Sequence, residues 1–79
     1  MTWNYRVMRR WVEESPGTLS EQYGIYETYY DADDEIPHSI TEDAMQPLGQ
    51  TFAELYRDIN LMLDALKKPV LDYESREEI

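Results

Sequence analysis

The chain is 79 residues long, and Asp and Glu outnumber Lys and Arg by 17 to 7, which gives a formal net charge of −10. This length fits one domain, and a charge of this sign repels phosphate backbones and anionic lipid surfaces. Without cysteine, the chain has no disulfide or thiolate-bound metal to reinforce its core. It contains no apolar run of about 18 residues and begins without the pattern of a signal peptide, so we expect a soluble cytoplasmic protein.

Residues 3–12 predict a first β-strand, because they are rich in aromatic and β-branched side chains and contain neither Gly nor Pro. Side chains alternate between the two faces of a strand. The odd-numbered positions are the more apolar set: Trp3, Tyr5, Val7, Arg9 and Trp11. We therefore predict that the odd face meets the core and that the even face, with Arg6, Met8 and Arg10, is exposed.

A second strand is predicted at residues 22–31, where four tyrosines, an isoleucine and a threonine suit a pleated surface. The motif Ser15-Pro16-Gly17-Thr18 predicts the turn between the two strands. A register that pairs Arg9 with Glu27 would place opposite charges side by side, which stabilises a sheet by a few tenths to about 1 kcal/mol. The same register sets Trp11 opposite Ile25 and Val7 opposite Tyr29.

A second, acidic turn at residues 31–35 contains Asp31, Asp33, Asp34 and Glu35. Such a run suggests a Ca²⁺ or Mg²⁺ site, since hard cations bind several oxygen ligands. The glycine and glutamate spacing of an EF-hand loop is not met here, however. Because Asp favours turns by bonding its own backbone, we interpret the run as a solvated turn. A short third strand is predicted around residues 38–41.

Residues 51–68 predict an amphipathic helix. Thr51 and Glu54 have the spacing of a capping box, and Pro69 ends the segment. Apolar side chains recur at steps of three and four, on one stripe about 120° wide: Phe52, Leu55, Tyr56, Ile59, Met62, Leu63 and Leu66. We expect this stripe to pack on the sheet and to leave only Leu61 outside, so that the helix is a scaffold and not a binding site.

These elements predict an α+β fold, in which a three-stranded antiparallel sheet (β-β-β-α) carries one amphipathic C-terminal helix packed on one face. We assign residues 1–71 to a single α+β domain, with Val70 and Leu71 against the sheet edge. Residues 72–79 are expected to form a flexible acidic tail.

Catalysis has little support in the sequence. The single histidine, His38, directly precedes Ser39, and adjacent strand residues point to opposite faces, so the two are not expected to form a nucleophile–base pair. Metal-ligand spacing and a Gly-rich phosphate loop are also absent from the sequence. We expect a non-enzymatic protein without a cofactor, a metal ion or a small-molecule ligand.

The side chains best suited to binding lie on the predicted outer sheet face and in the acidic turn. Arginine and tyrosine dominate protein interfaces, but arginine stems also pack over tyrosine rings on ordinary surfaces. The aromatics could equally stack single-stranded nucleic acid, against which the net charge argues. The candidate partner-binding residues are Arg6, Arg10, Tyr26, Tyr30, Asp31, Asp33, Asp34 and Glu35.

Several segments follow a shared pattern: residues 3–7, 23–27, 29–31 and 41–43, Pro47 with Gly49, and residues 62–66 and 68–72. In these segments, which span nearly its whole length, the chain resembles a family of small bacterial proteins of unknown function. That resemblance implies no activity.

A shorter run, Gly49-Gln50-Thr51-Phe52-Ala53-Glu54, lies where the sheet leads into the helix. Here the chain is similar to HicB-like antitoxin domains, although it lacks the DNA-binding segment and the clear strand that follow the helix in those domains. The similarity implies an acidic protein that neutralises a basic toxin. We expect a protein-protein interaction module that binds a protein partner or a second copy of itself. The alternative is an antitoxin or nucleic-acid-mimicking inhibitor, which requires Glu13 and Glu14 to cluster with the acidic turn.

Overall fold

The computed structural model describes residues 2–32 and 34–79, which form one helix and a four-stranded mixed sheet. The elements are β1 (Thr2–Ser15), β2 (Thr18–Tyr30), β3 (Ser39–Ile40), α1 (Phe52–Ala65) and β4 (Leu71–Asp72). Their order in the sheet is β3-β2-β1-β4, and β4 runs parallel to β1. The predicted α+β class is confirmed. The predicted three-stranded antiparallel sheet is wrong, because the chain after the helix adds a parallel edge strand.

The long hairpin of β1 and β2 turns at Gly17, whose positive φ of 81° suits a residue without a side chain. The strands pair almost up to this turn, with an irregularity between Glu13 and Ser15. Val7 consequently lies opposite Ile25, and the predicted pairing of Arg9 with Glu27 is wrong, since Tyr5 lies opposite Glu27. The tighter turn moves the register by an even number of residues, so each side chain keeps its predicted face.

The helix begins where the capping pattern predicts. The side chain of Thr51 accepts a hydrogen bond from the backbone amide of Glu54 across 3.1 Å. The carboxylate of Glu54 accepts in turn from the backbone amide of Gln50. The helix ends at Ala65, three residues before the predicted end at Lys68, in a turn that precedes Pro69. In the described part of the chain, no helix is both long and apolar enough to cross a membrane.

The odd face of the sheet contacts the helix, as predicted. Tyr5 and Val7 of β1 are buried against Met62 and Ala65 of α1. Three partly buried side chains complete this cluster: Ile25, Met45 and Val70. Burial of these apolar groups holds the helix on the sheet.

The even face is buried too, which corrects the prediction that it is exposed. Met8 and Tyr26 form a second cluster with Leu71, and Tyr73 packs beside them. Residues 72–79, expected as a flexible acidic tail, fold back instead: the amide of Tyr73 donates to the carbonyl of Arg9, and that of Ile79 to the carbonyl of Val70. The centre of β1 therefore has buried side chains on both faces.

Candidate functional site

Three of the predicted outer-face residues are largely buried, and the C-terminal segment contacts two of them, Arg6 and Tyr26. Arg6 is 9% exposed, Tyr26 2% and Tyr30 9%. The guanidinium of Arg6 donates to the carbonyl of Pro69 across 2.6 Å, and the ring of Tyr26 lies 5.4 Å from that of Tyr73, centroid to centroid. These three side chains pack within the fold and offer little surface to a partner.

Arg10 is half-buried at the edge of the same face. Its guanidinium lies over the Tyr73 ring, 4.1 Å from the centroid, and donates to the carbonyl of Glu42 across 3.0 Å. The sequence allowed two roles for such an arginine, binding a partner or packing over a tyrosine ring, and Arg10 packs over a ring. It joins the C-terminal segment to the loop after β3.

The acidic turn follows β2 and exposes Asp31, Asp34 and Glu35, whereas Asp33 lies outside the described residues. Glu13 and Glu14 lie at the other end of the hairpin. The 13 residues of β2 separate the two groups by roughly 40 Å, at about 3.3 Å per residue. The acidic residues therefore do not form the single cluster that nucleic-acid mimicry requires, and the prediction of that cluster is wrong. Among the described residues, no group of three or more His, Cys, Asp or Glu is placed to hold a metal ion.

His38 and Ser39 are closer than the sequence predicts. Nε2 of His38 lies 3.5 Å from Oγ of Ser39, and its Nδ1 lies 3.7 Å from Oδ1 of Asp31. The strand starts only at Ser39, so strand alternation does not separate the His38 side chain from that of Ser39. Both distances exceed the reach of about 2.6–3.2 Å for proton transfer, and His38 is exposed. We assign no chemistry to these groups.

The helix presents an apolar surface to solvent that the sequence reading assigned to the core. Exposure ranges from 46% for Ile59 to 82% for Phe52. The members of this surface, called the helix stripe below, are Phe52, Tyr56, Ile59, Leu63 and Leu66. Together they expose on the order of 600 Å². The prediction that the whole apolar stripe packs on the sheet and leaves only Leu61 outside is therefore wrong.

Helical geometry explains how one helix has two apolar sides. With 3.6 residues per turn, Met62 and Ala65 point at the sheet, and the helix stripe is centred about 100° around the helix axis from them. The sheet below is narrow, and the helix packs mainly on one strand, β1. The sheet covers the side of the helix that carries Met62 and leaves the other apolar side exposed to solvent.

The helix stripe faces the distal half of the hairpin. Leu61, about 180° around the helix from the stripe centre, shares a groove with Trp3 and Tyr5 near the start of β1. The stripe is therefore turned the other way, toward the later odd positions of β1. There Trp11 and its neighbour Tyr23 on β2 are about half exposed on the same sheet face. Helix and hairpin thus present apolar side chains on one side of the sheet.

The electrostatics of the helix stripe differ from those of the rest of the protein. None of its members is charged, although the chain carries a net charge of −10. On the solvent side its neighbours along the helix are Ala53, Asn60 and Lys67, none of which is acidic. The stripe is an uncharged surface on a strongly acidic domain.

A signal for the helix stripe was present in the sequence. The stripe residues follow each other at steps of four, three, four and three, the 3.5-residue period of helices that pair with other helices. Leu55, Met62 and Ala65 form a separate set toward the sheet. The prediction of a single apolar stripe combined the helix stripe with the set that faces the sheet.

Comparison with protein-family models, with curated proteins and with solved structures finds no significant match for this chain.

Proposed function

We propose that this chain is a non-enzymatic protein-interaction module whose binding surface is the helix stripe. The supporting observation is the exposure of five large apolar side chains on one side of a well-capped helix. The largest apolar patch on a typical monomer is about 300–600 Å² and is often functional, and the helix stripe lies at the upper end of this range. Burying this one would remove a large apolar area from water.

The composition of the helix stripe supports a specific contact. Phe52 and Tyr56 are the most exposed of its members, and aromatic side chains are enriched at interface centres. A rigid helix places them at fixed spacing, in the manner of an amphipathic helix that binds an apolar groove or another helix.

Affinity capture with a matched pair of variants tests this function. Leu63→Glu places a carboxylate within the helix stripe, where the side chain is 53% exposed, and Leu61→Glu makes the same change on the opposite side of the helix, at 41% exposure. We expect the wild type and Leu61→Glu to retain a protein ligand at physiological salt and Leu63→Glu to lose it. Equal retention by both variants would remove the stripe from the binding surface.

The alternative function, an antitoxin that binds a basic partner, stays a prediction, whereas the mimicry of nucleic acid loses the clustered acidic residues that it requires. The acidic residues of an antitoxin would have to act as two separate groups, one at each end of the hairpin. Neutralising charge in the acidic turn, with Asp34→Asn and Glu35→Gln together, should abolish binding to a basic partner if this alternative holds. The interaction module predicts that the double variant binds as the wild type does.

A further inference from the structure

We infer that the occupant of the helix stripe is a second copy of this chain, paired helix to helix in antiparallel orientation around a two-fold axis near Ile59. This inference rests on the proposed function and adds the identity of the partner. It follows from the spacing and the size order of the stripe and from the dipole of the helix.

Three members of the helix stripe are symmetric about its centre, and Tyr56 and Leu63 depart from that symmetry by one residue, about 1.5 Å of helix rise. Ile59 lies at its centre, with Phe52 seven residues before it and Leu66 seven residues after it. An antiparallel copy therefore sets Phe52 of each helix beside Leu66 of the other. Steps of three and four along one face are those of helices that pack with their side chains interdigitated.

The size order of the helix stripe also fits an antiparallel copy. Its aromatic members, Phe52 and Tyr56, lie in the N-terminal half, and its leucines, Leu63 and Leu66, lie in the C-terminal half. Antiparallel pairing places each aromatic ring against a smaller leucine, which allows large and small side chains to alternate across the contact. Parallel pairing would place ring against ring and leucine against leucine.

The helix dipoles favour the same orientation. Antiparallel pairing sets the positive N-terminal end of each helix beside the negative C-terminal end of the other. Parallel pairing would bring like ends together. Glu54, the acidic residue of the first turn, lies about 160° around the helix axis from the stripe centre and takes no part in the contact.

The available area suits a stable pair. The helix stripe supplies on the order of 600 Å², and a standard interface buries roughly 800 Å² on each partner. Trp11 and Tyr23, exposed on the same side of the sheet, would supply the remainder by contacting the second helix. The negative charge of each copy opposes association, so salt should tighten the pair by screening this repulsion.

Sedimentation equilibrium of the full chain tests the pairing. We expect a dimer in the micromolar range whose dissociation constant falls as salt is added. Leu63→Glu and Ile59→Asp should each weaken the dimer by roughly a hundredfold, because a charge would be buried in the contact of both copies. Leu61→Glu should leave it unchanged. Far-UV circular dichroism checks that each variant is folded, and a wild type that stays monomeric at high micromolar concentration would overturn the inference.

Single cysteines test the orientation, because the chain contains none of its own. Ile59→Cys should form a disulfide-linked dimer on mild oxidation, since the two copies meet at this position. Leu66→Cys should not link to itself, but a mixture of Phe52→Cys and Leu66→Cys chains should give the mixed dimer. Self-linking of Leu66→Cys, with no mixed dimer, would overturn the antiparallel arrangement.

The two proposals fail separately. A monomeric wild type that captures a different protein through the helix stripe would overturn the self-pairing and leave the interaction module standing. If the wild type is monomeric and the Leu63→Glu variant captures the same proteins as the wild type, both proposals are overturned.

Discussion

The phenol of Tyr5 donates a hydrogen bond to Oδ1 of Asp58 across 2.5 Å, and Oδ2 of the same carboxylate accepts from the backbone amide of Leu48 across 3.0 Å. One side chain of the helix thus joins the central strand to the loop that enters the helix. Together with the apolar cluster beneath the helix, this contact positions α1 on the sheet, and the position of α1 determines the side on which the helix stripe is exposed.

Replacing Tyr5 by Phe should lower the free energy of unfolding by about 1–2 kcal/mol, since it removes a hydrogen bond to a charged, partly buried group. Urea denaturation followed by tryptophan fluorescence measures the change. Tyr23→Phe is the matched control, because the Tyr23 hydroxyl donates to the carboxylate of Glu21 at an exposed position; it should change stability by less than about 0.5 kcal/mol. Equal effects of the two substitutions would contradict the structural role of Tyr5.

Tyr5 should also make the protein sensitive to alkaline pH. Burial raises the pKa of Tyr5 above its ordinary value of 10.0, and the hydrogen bond to Asp58 raises it further. Because the pKa is raised in the folded state, the stabilisation that Tyr5 contributes is fully present below pH 10. It is lost as the pH rises from there toward the folded-state pKa. Above pH 10 the unfolding free energy of the wild type should therefore fall more steeply than that of Tyr5→Phe. Parallel pH profiles would contradict this assignment.

Asp72 should contribute to stability down to acidic pH. The backbone amide of Ser75 donates to its carboxylate and holds the pKa of Asp72 below its ordinary value of 3.8, and the guanidinium of Arg9 acts in the same direction. This contribution is present above about pH 4 and is lost as the pH falls through the folded-state pKa. Asp72→Ala should lower the unfolding free energy by about 1 kcal/mol at neutral pH, with a smaller difference from wild type below pH 4. Glu74→Ala, the removal of an exposed neighbouring carboxylate, is the control and should have little effect.

Removal of residues 73–79 should destabilise the protein by about 2 kcal/mol or more, because the deletion uncovers Tyr26 and Met8, which are 2% and 0% exposed. It also removes Arg76, whose guanidinium donates to the carbonyl of His38 across 2.7 Å. Urea denaturation of the truncated and full-length chains measures the difference. A flexible tail would leave the denaturation midpoint unchanged.

Some of the candidate site could have been predicted, and the rest depends on contacts that are distant in sequence. The four-three spacing of Phe52, Tyr56 and Ile59 is a local pattern and marks an apolar helix side. The burial of Arg6 and Tyr26 is not local, because it comes from Pro69 and Tyr73, which lie more than forty residues away along the chain. Composition marks residues suited to a surface and cannot say which segment will cover them.

Local sequence patterns were sufficient to predict the helix with its Thr51 cap, the two long strands and the odd face that meets the core. These features follow from steric and hydrogen-bonding preferences among neighbouring residues. Contacts between distant segments establish the hairpin register, the parallel pairing of β4 with β1 and the burial of both faces of β1. The same contacts cover one apolar side of the helix and leave the other open. Local patterns cannot predict these contacts, because burial against any apolar surface lowers the free energy of an apolar side chain, and the path of the whole chain determines which surface each side chain meets.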